Sequence, residues 1–177
     1  LNCFVFAEAD QMDVLKAAQI VHEEGIAIPI LLGNKATIDD LRAAINFDDE
    51  VEIIDPKEEA HKAQRDHYAD LFWKDQRRKG YTLYDAQRLM RERNYYASMM
   101  IKNRDADAMI SGYSRNYRSV VKPILETISK AKGVSRVAAT NLMLTKSGPL
   151  FLSDTTINVD PTAKELAKIA QMTANTS

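Results

Sequence analysis

Cysteine occurs only once in these 177 residues, at Cys3, so no disulfide can close within the chain. Histidine is nearly as scarce: His22, His61 and His67 are scattered over polar segments and read as surface residues, which leaves no Cys/His spacing suited to zinc. Long hydrophobic runs are absent too. The longest, Ile26 to Leu32, has seven residues and contains Pro29, against the roughly 20 apolar residues that a bilayer span needs. Neither sign of charge dominates: 24 basic and 25 acidic residues leave a net charge of −1, which removes any general attraction to nucleic acid or anionic membranes. The apolar start, Leu1 to Ala7, has no basic residues before it and no small-residue cleavage site after it. No secretory signal is therefore expected, and the cytoplasm is the expected compartment. What the chain does have is 45% hydrophobic and 28% charged residues, the balance of a globular protein able to bury a core.

Short apolar runs alternate with longer amphipathic ones. Residues 3–6 (Cys-Phe-Val-Phe) read as a buried strand, and Cys3 as part of the core. Val14, Ala17, Ala18 and Val21 then share one helical face, which Gly25 ends. Residues 26–32 read as a second strand, placed at an edge or irregularly paired because of Pro29. Thr37 is the expected N-cap of a helix to Ala44, and residues 51–54 are a third strand. Residues 57–78 are helical in pattern. Thr82 and Asp85 form a capping-box pattern opening a helix to Arg93, and another helix is expected from Tyr95 to Lys102. Residues 107–111 are a strand running into Gly112, followed by a helix to Lys132. Two β-rich runs, 136–144 and 149–153, flank a turn at 146–148, and Asp160-Pro161 opens a last helix. Alternating strands and helices predict an α/β protein, with a mostly parallel sheet covered by helices.

Chemistry is best placed in residues 112–119 (Gly-Tyr-Ser-Arg-Asn-Tyr-Arg-Ser), which follow a strand and open a helix. Ligands of open α/β sheets sit beyond the carboxyl ends of the strands, and free N–H groups at a helix start favour phosphate. Gly112, Ser114, Arg115, Asn116, Arg118 and Lys122 are the candidates there, the arginines as bidentate donors. The competing reading is a solvated connection, and the loop is no Walker sequence. Thr155, Thr156 and Asn158 form a second candidate group, with turn chemistry as the competing reading. Arg77-Arg78-Lys79 suits a helix end, where cations complement the dipole. Asp105 and Asp107 precede a strand, the wrong end for an α/β active site. No catalytic triad or metal set can be assembled from spacing.

Residues 14–33 (Val-Leu-Lys-Ala-Ala-Gln-Ile-Val-His-Glu-Glu-Gly-Ile-Ala-Ile-Pro-Ile-Leu-Leu-Gly) resemble the opening of the phosphotransacetylase family. So do 78–82 (Arg-Lys-Gly-Tyr-Thr), 105–112 (Asp-Ala-Asp-Ala-Met-Ile-Ser-Gly) and 158–167. Within that family, 6–10 (Phe-Ala-Glu-Ala-Asp), 112–117 and 154–162 look most like the C-terminal phosphotransacetylase-like domain of bacterial NADP-dependent malic enzymes. The resemblance implies a three-layer αβα sandwich in a phosphotransacetylase/isopropylmalate-dehydrogenase-like two-domain architecture. Residues 1–131 would be the first αβα domain, and 132–177 the start of a truncated second one.

The same resemblance implies function. Phosphotransacetylases interconvert acetyl-CoA plus phosphate with acetyl phosphate plus coenzyme A, without a metal, using arginines for the phosphoryl group and an aspartate as thiol base. The family domain is nearly twice this length, and the aspartate and a Ser-Arg pair belong to the part that follows. One family arginine, before a proline, falls on Lys122, and another falls near Gln76. The expectation is a regulatory domain of an NADP-dependent malic enzyme that binds acetyl-CoA or a related acyl-CoA. No catalytic residue, metal or cofactor is expected in this segment, since NADP and a divalent magnesium or manganese would serve the malate-decarboxylating domain of the parent chain. That domain and further copies of the chain, as a homo-oligomer, are the expected partners. The alternatives are part of an active phosphate acetyltransferase and a non-catalytic oligomerisation domain.

Overall fold

A computed structural model describes residues 2–48, 50–130, 132, 134, 136–154 and 156–175. They fall into two compact units, Leu1–Ser129 and Lys130–Ser177; the boundary expected at Ala131 lies outside the described residues.

The first unit is built on a four-stranded, wholly parallel sheet: β1 (Cys3–Phe6), β2 (Ile28–Leu32), β3 (Glu52–Ile54) and β4 (Ala108–Ile110), in the order β3-β2-β1-β4. β1 and β2 are continuously apolar because both faces of the sheet are covered. Val5, Ile30 and Leu32 face one core with Tyr68, Phe72, Tyr96 and Met99, while Phe6 and Leu31 face the other with Leu15, Ile38 and Phe47. Helices α1 (Met12–Glu23) and α2 (Lys35–Ile45) cover the second face. Helices α3 (Lys62–Gln76), α4 (Leu83–Leu89) and α5 (Arg93–Asn103) cover the first, and α6 (Tyr117–Thr127) packs on α5. This is the expected three-layer αβα arrangement.

Several local expectations are corrected. β2 is internal, so of the two alternatives for Pro29 the edge falls and the irregular pairing holds. Ile28 N–H bonds the Asn2 carbonyl at 2.8 Å, so the next position, Pro29, faces β3, whose pairing begins only at Ile30. The proline's missing donor thus falls where no partner strand runs. Helix α2 is capped by Asn34, whose side chain accepts from Thr37 N–H at 3.0 Å; Thr37 lies inside the first turn. The helix expected from Thr82 to Arg93 ends at Leu89, because Glu92 accepts from the N–H groups of Asn94 and Tyr95 and starts α5 afresh. The capping box at Thr82 and Asp85 is present. Helix α6 stops at Thr127, short of Lys132.

At the amino-terminal edge of the sheet, Asp105 and Asp107 serve as acceptors. Tyr68 donates to Asp105, and Cys3 N–H donates to Asp107 Oδ2 at 2.8 Å. Cys3 is half-buried against the first core, His67 is exposed, and His22 and His61 are half-buried.

The second unit has an antiparallel hairpin, β5 (Thr140–Thr145) and β6 (Gly148–Ser153), followed by α7 (Ala163–Ala174). Helix α7 opens at Thr162, in a capping box with Glu165, two residues beyond the expected Asp160. Asp160 itself has φ +52° and stands outside the helix. Among the described residues no helix is long and apolar enough to cross a membrane.

Asn34→Ala should lower unfolding free energy by about 1 kcal/mol, the usual loss of an N-cap, and Thr37→Ala by only a few tenths. Urea denaturation followed by circular dichroism checks the ranking.

Candidate functional site

The strand order turns at β1, with β2 and β3 on one side and β4 on the other, so the ends of β1 and β4 form the switch point at which open α/β sheets take ligands. β1 leads into Ala7-Glu8-Ala9-Asp10, and β4 into Ser111-Gly112. Asp10 receives both terminal nitrogens of Arg93, at 2.7 and 2.8 Å, and Arg93 also points one of them at the Ala7 carbonyl at 3.4 Å. The hydrogen bonds from Arg93 hold the Asp10 carboxyl below the usual aspartate range against partial burial, and raise Arg93 in return. Gly33 makes room for this pair. A Cβ there would stand 3.3 Å from Asp10 Cβ and 3.1 Å from Ile38.

Glu8, 1% exposed, accepts from Gly112 N–H at 3.1 Å and Ser114 N–H at 2.6 Å. Burial works against its charge, but these two bonds, with the Ser114 and Ser111 hydroxyls, outweigh it and keep its pKa below the ordinary glutamate value. The Ser111 hydroxyl lies 2.7 Å from Asn94 Oδ1 and 3.4 Å from Glu8. The loop N–H groups of Gly112 and Ser114, which the sequence offers to a phosphate, are therefore already taken by a carboxylate of the chain. Asn116 is committed as well, since its side chain accepts from Ser119 N–H at 2.9 Å and caps α6. Ser114, Arg115, Arg118 and Lys122 are exposed. Arg115 acts on Glu92, where burial raises the pKa and the attraction of Arg115 partly offsets it.

Lys122 lines a groove of about 380 Å³ with Lys79, Tyr81, Asp85, Arg88 and Tyr95. Its ammonium lies 3.8 Å from Glu126, whose carboxylate also accepts from Tyr95. Burial first, then Glu126, raises Tyr81 above the ordinary tyrosine value. Gln76, buried nearby in the chain of contacts, donates to the Glu126 carbonyl at 2.5 Å while its amide oxygen has no hydrogen-bond partner. Sequence reasoning gives Lys79 only a helix-end role, and Arg88, Tyr81 and Tyr95 no site role. The basic run at 77–79 and the α4 capping box were visible, but nothing local brings α4 and the 77–79 turn beside α6. Arg77, by contrast, lies over the Trp73 ring at 5.8 Å.

In the second unit, Asn158 is used to hold its own loop: it donates to the Val137 carbonyl at 3.0 Å and accepts from Arg136 at 2.8 Å. Thr156 is exposed in the same loop, and Thr155 lies outside the described residues. Among the described residues no group of three His, Cys, Asp or Glu side chains is placed to hold a metal ion.

The fold is an open α/β sheet with a groove lined by the cations Lys79, Arg88 and Lys122. Residues 2–177 match the family described as phosphate acetyl/butaryl transferase, and the chain belongs to that family. It is 32% identical to the phosphate acetyltransferase of Thermoanaerobacterium thermosaccharolyticum, over 98% of this chain and 53% of that protein. The crystal structure of a phosphotransacetylase from Streptococcus pyogenes superposes with a TM-score of 0.82 at 32% identity, covering 96% of this chain and 51% of the other. A probable NADP-dependent malic enzyme of Rickettsia prowazekii is 29% identical over 98% of this chain and 23% of its own length. The chain thus spans about half the length of these two transferases, and 24% to 33% of others that it matches.

The Asp10–Arg93 pair carries a pH signature. A carboxyl whose pKa is lower folded than unfolded contributes stability above its unfolded value, and loses it as pH falls through the folded one. Asp10→Asn should cost about 1.5–3 kcal/mol at pH 7, the range for hydrogen bonds to charged groups. The gap between wild type and variant should be full above about pH 5 and close progressively below pH 4. Chemical denaturation at stepped pH measures it.

Proposed function

We propose that this chain supplies the phosphate-binding half of a phosphate acetyltransferase domain, which moves an acyl group between coenzyme A and phosphate. The observation that carries the reading is the groove where Lys79, Arg88 and Lys122 converge with Tyr81 and Tyr95, on a chain of this family. Arg115 is exposed on the loop after β4, and Arg118 at the start of α6, the helix that carries Lys122. In the forward reaction a phosphate oxygen replaces sulfur on the acyl carbon and coenzyme A leaves as a thiolate that takes up a proton. The cations hold the phosphate and offset the charge that builds on it. Lysine at 122 keeps the charge without the planar fork of an arginine.

Asp85, the carboxylate in the groove, is an unsuitable base for the thiol. Its hydrogen bonds from Thr82 hold its pKa below the usual aspartate value, which weakens it as a proton acceptor. We therefore assign the base to the remainder of the domain, and expect this chain alone to bind but not to transfer.

A second reading, a regulatory domain of a malic enzyme that binds an acyl-CoA without turning it over, is favoured by Gln76. A buried amide held by the Glu126 carbonyl stands near the place where the resemblance puts an arginine of active enzymes, beside Arg77 and Arg78. The Rickettsia relative bears a malic enzyme's name.

Calorimetric titration with acetyl phosphate and with coenzyme A separates these. Lys122→Ala, Arg88→Ala and Arg115→Ala should each weaken acetyl phosphate by about tenfold, the loss of one charge-assisted contact. Unchanged affinity in all three variants rules out the groove and loop as the site. Acetyl phosphate formation by the whole protein supports the first reading; binding without turnover supports the second.

A further inference from the structure

Glu8 is a buried charge that the reaction does not use, and its placement asks for a reason. Taking a carboxylate out of water costs several kcal/mol unless donors replace the water. Its donors come from one place, the loop that leaves β4: Gly112 N–H at 3.1 Å, Ser114 N–H at 2.6 Å and the Ser111 hydroxyl at 3.4 Å. The inward N–H groups of residues 112 and 114 make an anion nest, and Gly112 at φ +107° provides the backbone turn that aims them. A Cβ at Gly112 would meet nothing within 4 Å, so it is conformation and not space that calls for glycine there. The Ser111 hydroxyl passes the constraint on to Asn94 at 2.7 Å, and Glu92, capping the same helix, faces the attraction of Arg115.

We propose that Glu8 is a positioning residue: its carboxylate fills the nest of residues 112–114, locks the loop, and thereby presents Arg115 to the phosphate of the ligand. The proposal rests on the anion-binding reading of this surface. Glu8 touches no ligand and acts through Arg115. With the inward N–H groups occupied, phosphate recognition falls to the side chains that follow. Without the carboxylate the loop loses the anchor that fixes where residue 115 stands, and two backbone donors must find water.

The test is a double-mutant cycle between Glu8→Gln and Arg115→Ala in the full-length protein, read by acetyl phosphate affinity. Glutamine keeps the shape of the side chain but turns an NH₂ toward one of the N–H donors. Glu8→Gln should weaken acetyl phosphate about tenfold and speed amide hydrogen exchange at Gly112 and Ser114 by tenfold or more, with exchange at Val5 and Leu31 unchanged. In the double variant the affinity should match Arg115→Ala alone, because a residue that works through Arg115 has nothing left to position. Should Glu8→Gln not fold, Gly112→Ala probes the same lock from the other side. Its strained φ should give the same loss and the same lack of additivity. Additive losses, or wild-type affinity in Glu8→Gln or Gly112→Ala, overturn the role of Glu8 while leaving the anion site standing. If the wild-type protein itself binds no acetyl phosphate at millimolar concentration, the anion-binding reading fails and the positioning role falls with it.

Discussion

The carboxylate of Glu8 is shut away from water and receives backbone N–H bonds from residues 104 and 106 positions further along the chain. A buried charge of this kind has few solutions, and the one found here joins the two strands that meet at the switch point of the sheet. Asp10, two residues on and partly buried, has a different solution, a forked guanidinium from the start of α5. Together the two acids fasten the end of β1 to the loop after β4 and to the first turn of α5. Apolar burial on both faces holds the sheet together, but it does not specify how its loops lie. The acids do.

That division of labour bears on the anion site proposed for this surface. In many α/β proteins the backbone of the loop after a strand is the phosphate site itself. Here a glutamate of the chain already holds that position, and the cations lie to one side, on the turn at Lys79, on α4 at Arg88 and on α6 at Lys122. Gln76 is an interior hydrogen-bond donor, and Lys122 an exposed ammonium paired at 3.8 Å with Glu126.

The α/β class, the parallel sheet and most elements were legible in the sequence, because burial on both faces writes itself as short apolar runs and amphipathic helices write themselves with a 3.6-residue period. Capping residues were legible only where the pattern was unambiguous. Thr82 and Asp85 have one reading. Asn34 and Thr37 are both good caps three residues apart, and only the hydrogen bond from Thr37 N–H to Asn34 decides between them. The same holds for Thr162 over Asp160, where a backbone at φ +52° removes Asp160 from the helix.

The loop at 112–119 was visible as a place for chemistry from its position after a strand and its arginines, and the family motifs from their order along the chain. Which of its donors are free was not visible. Residues 8 and 112 approach one another only when β1 and β4 pair, and Lys79, Arg88 and Lys122 share a groove only when α4 packs on α3 and α6 on α5. Local sequence, through period and propensity, therefore determined which segments are strands and helices and what residue types their ends carry. The tertiary structure decided which of those ends spend their hydrogen bonds on the protein itself and which keep them for a ligand, because that depends on contacts between residues about a hundred positions apart.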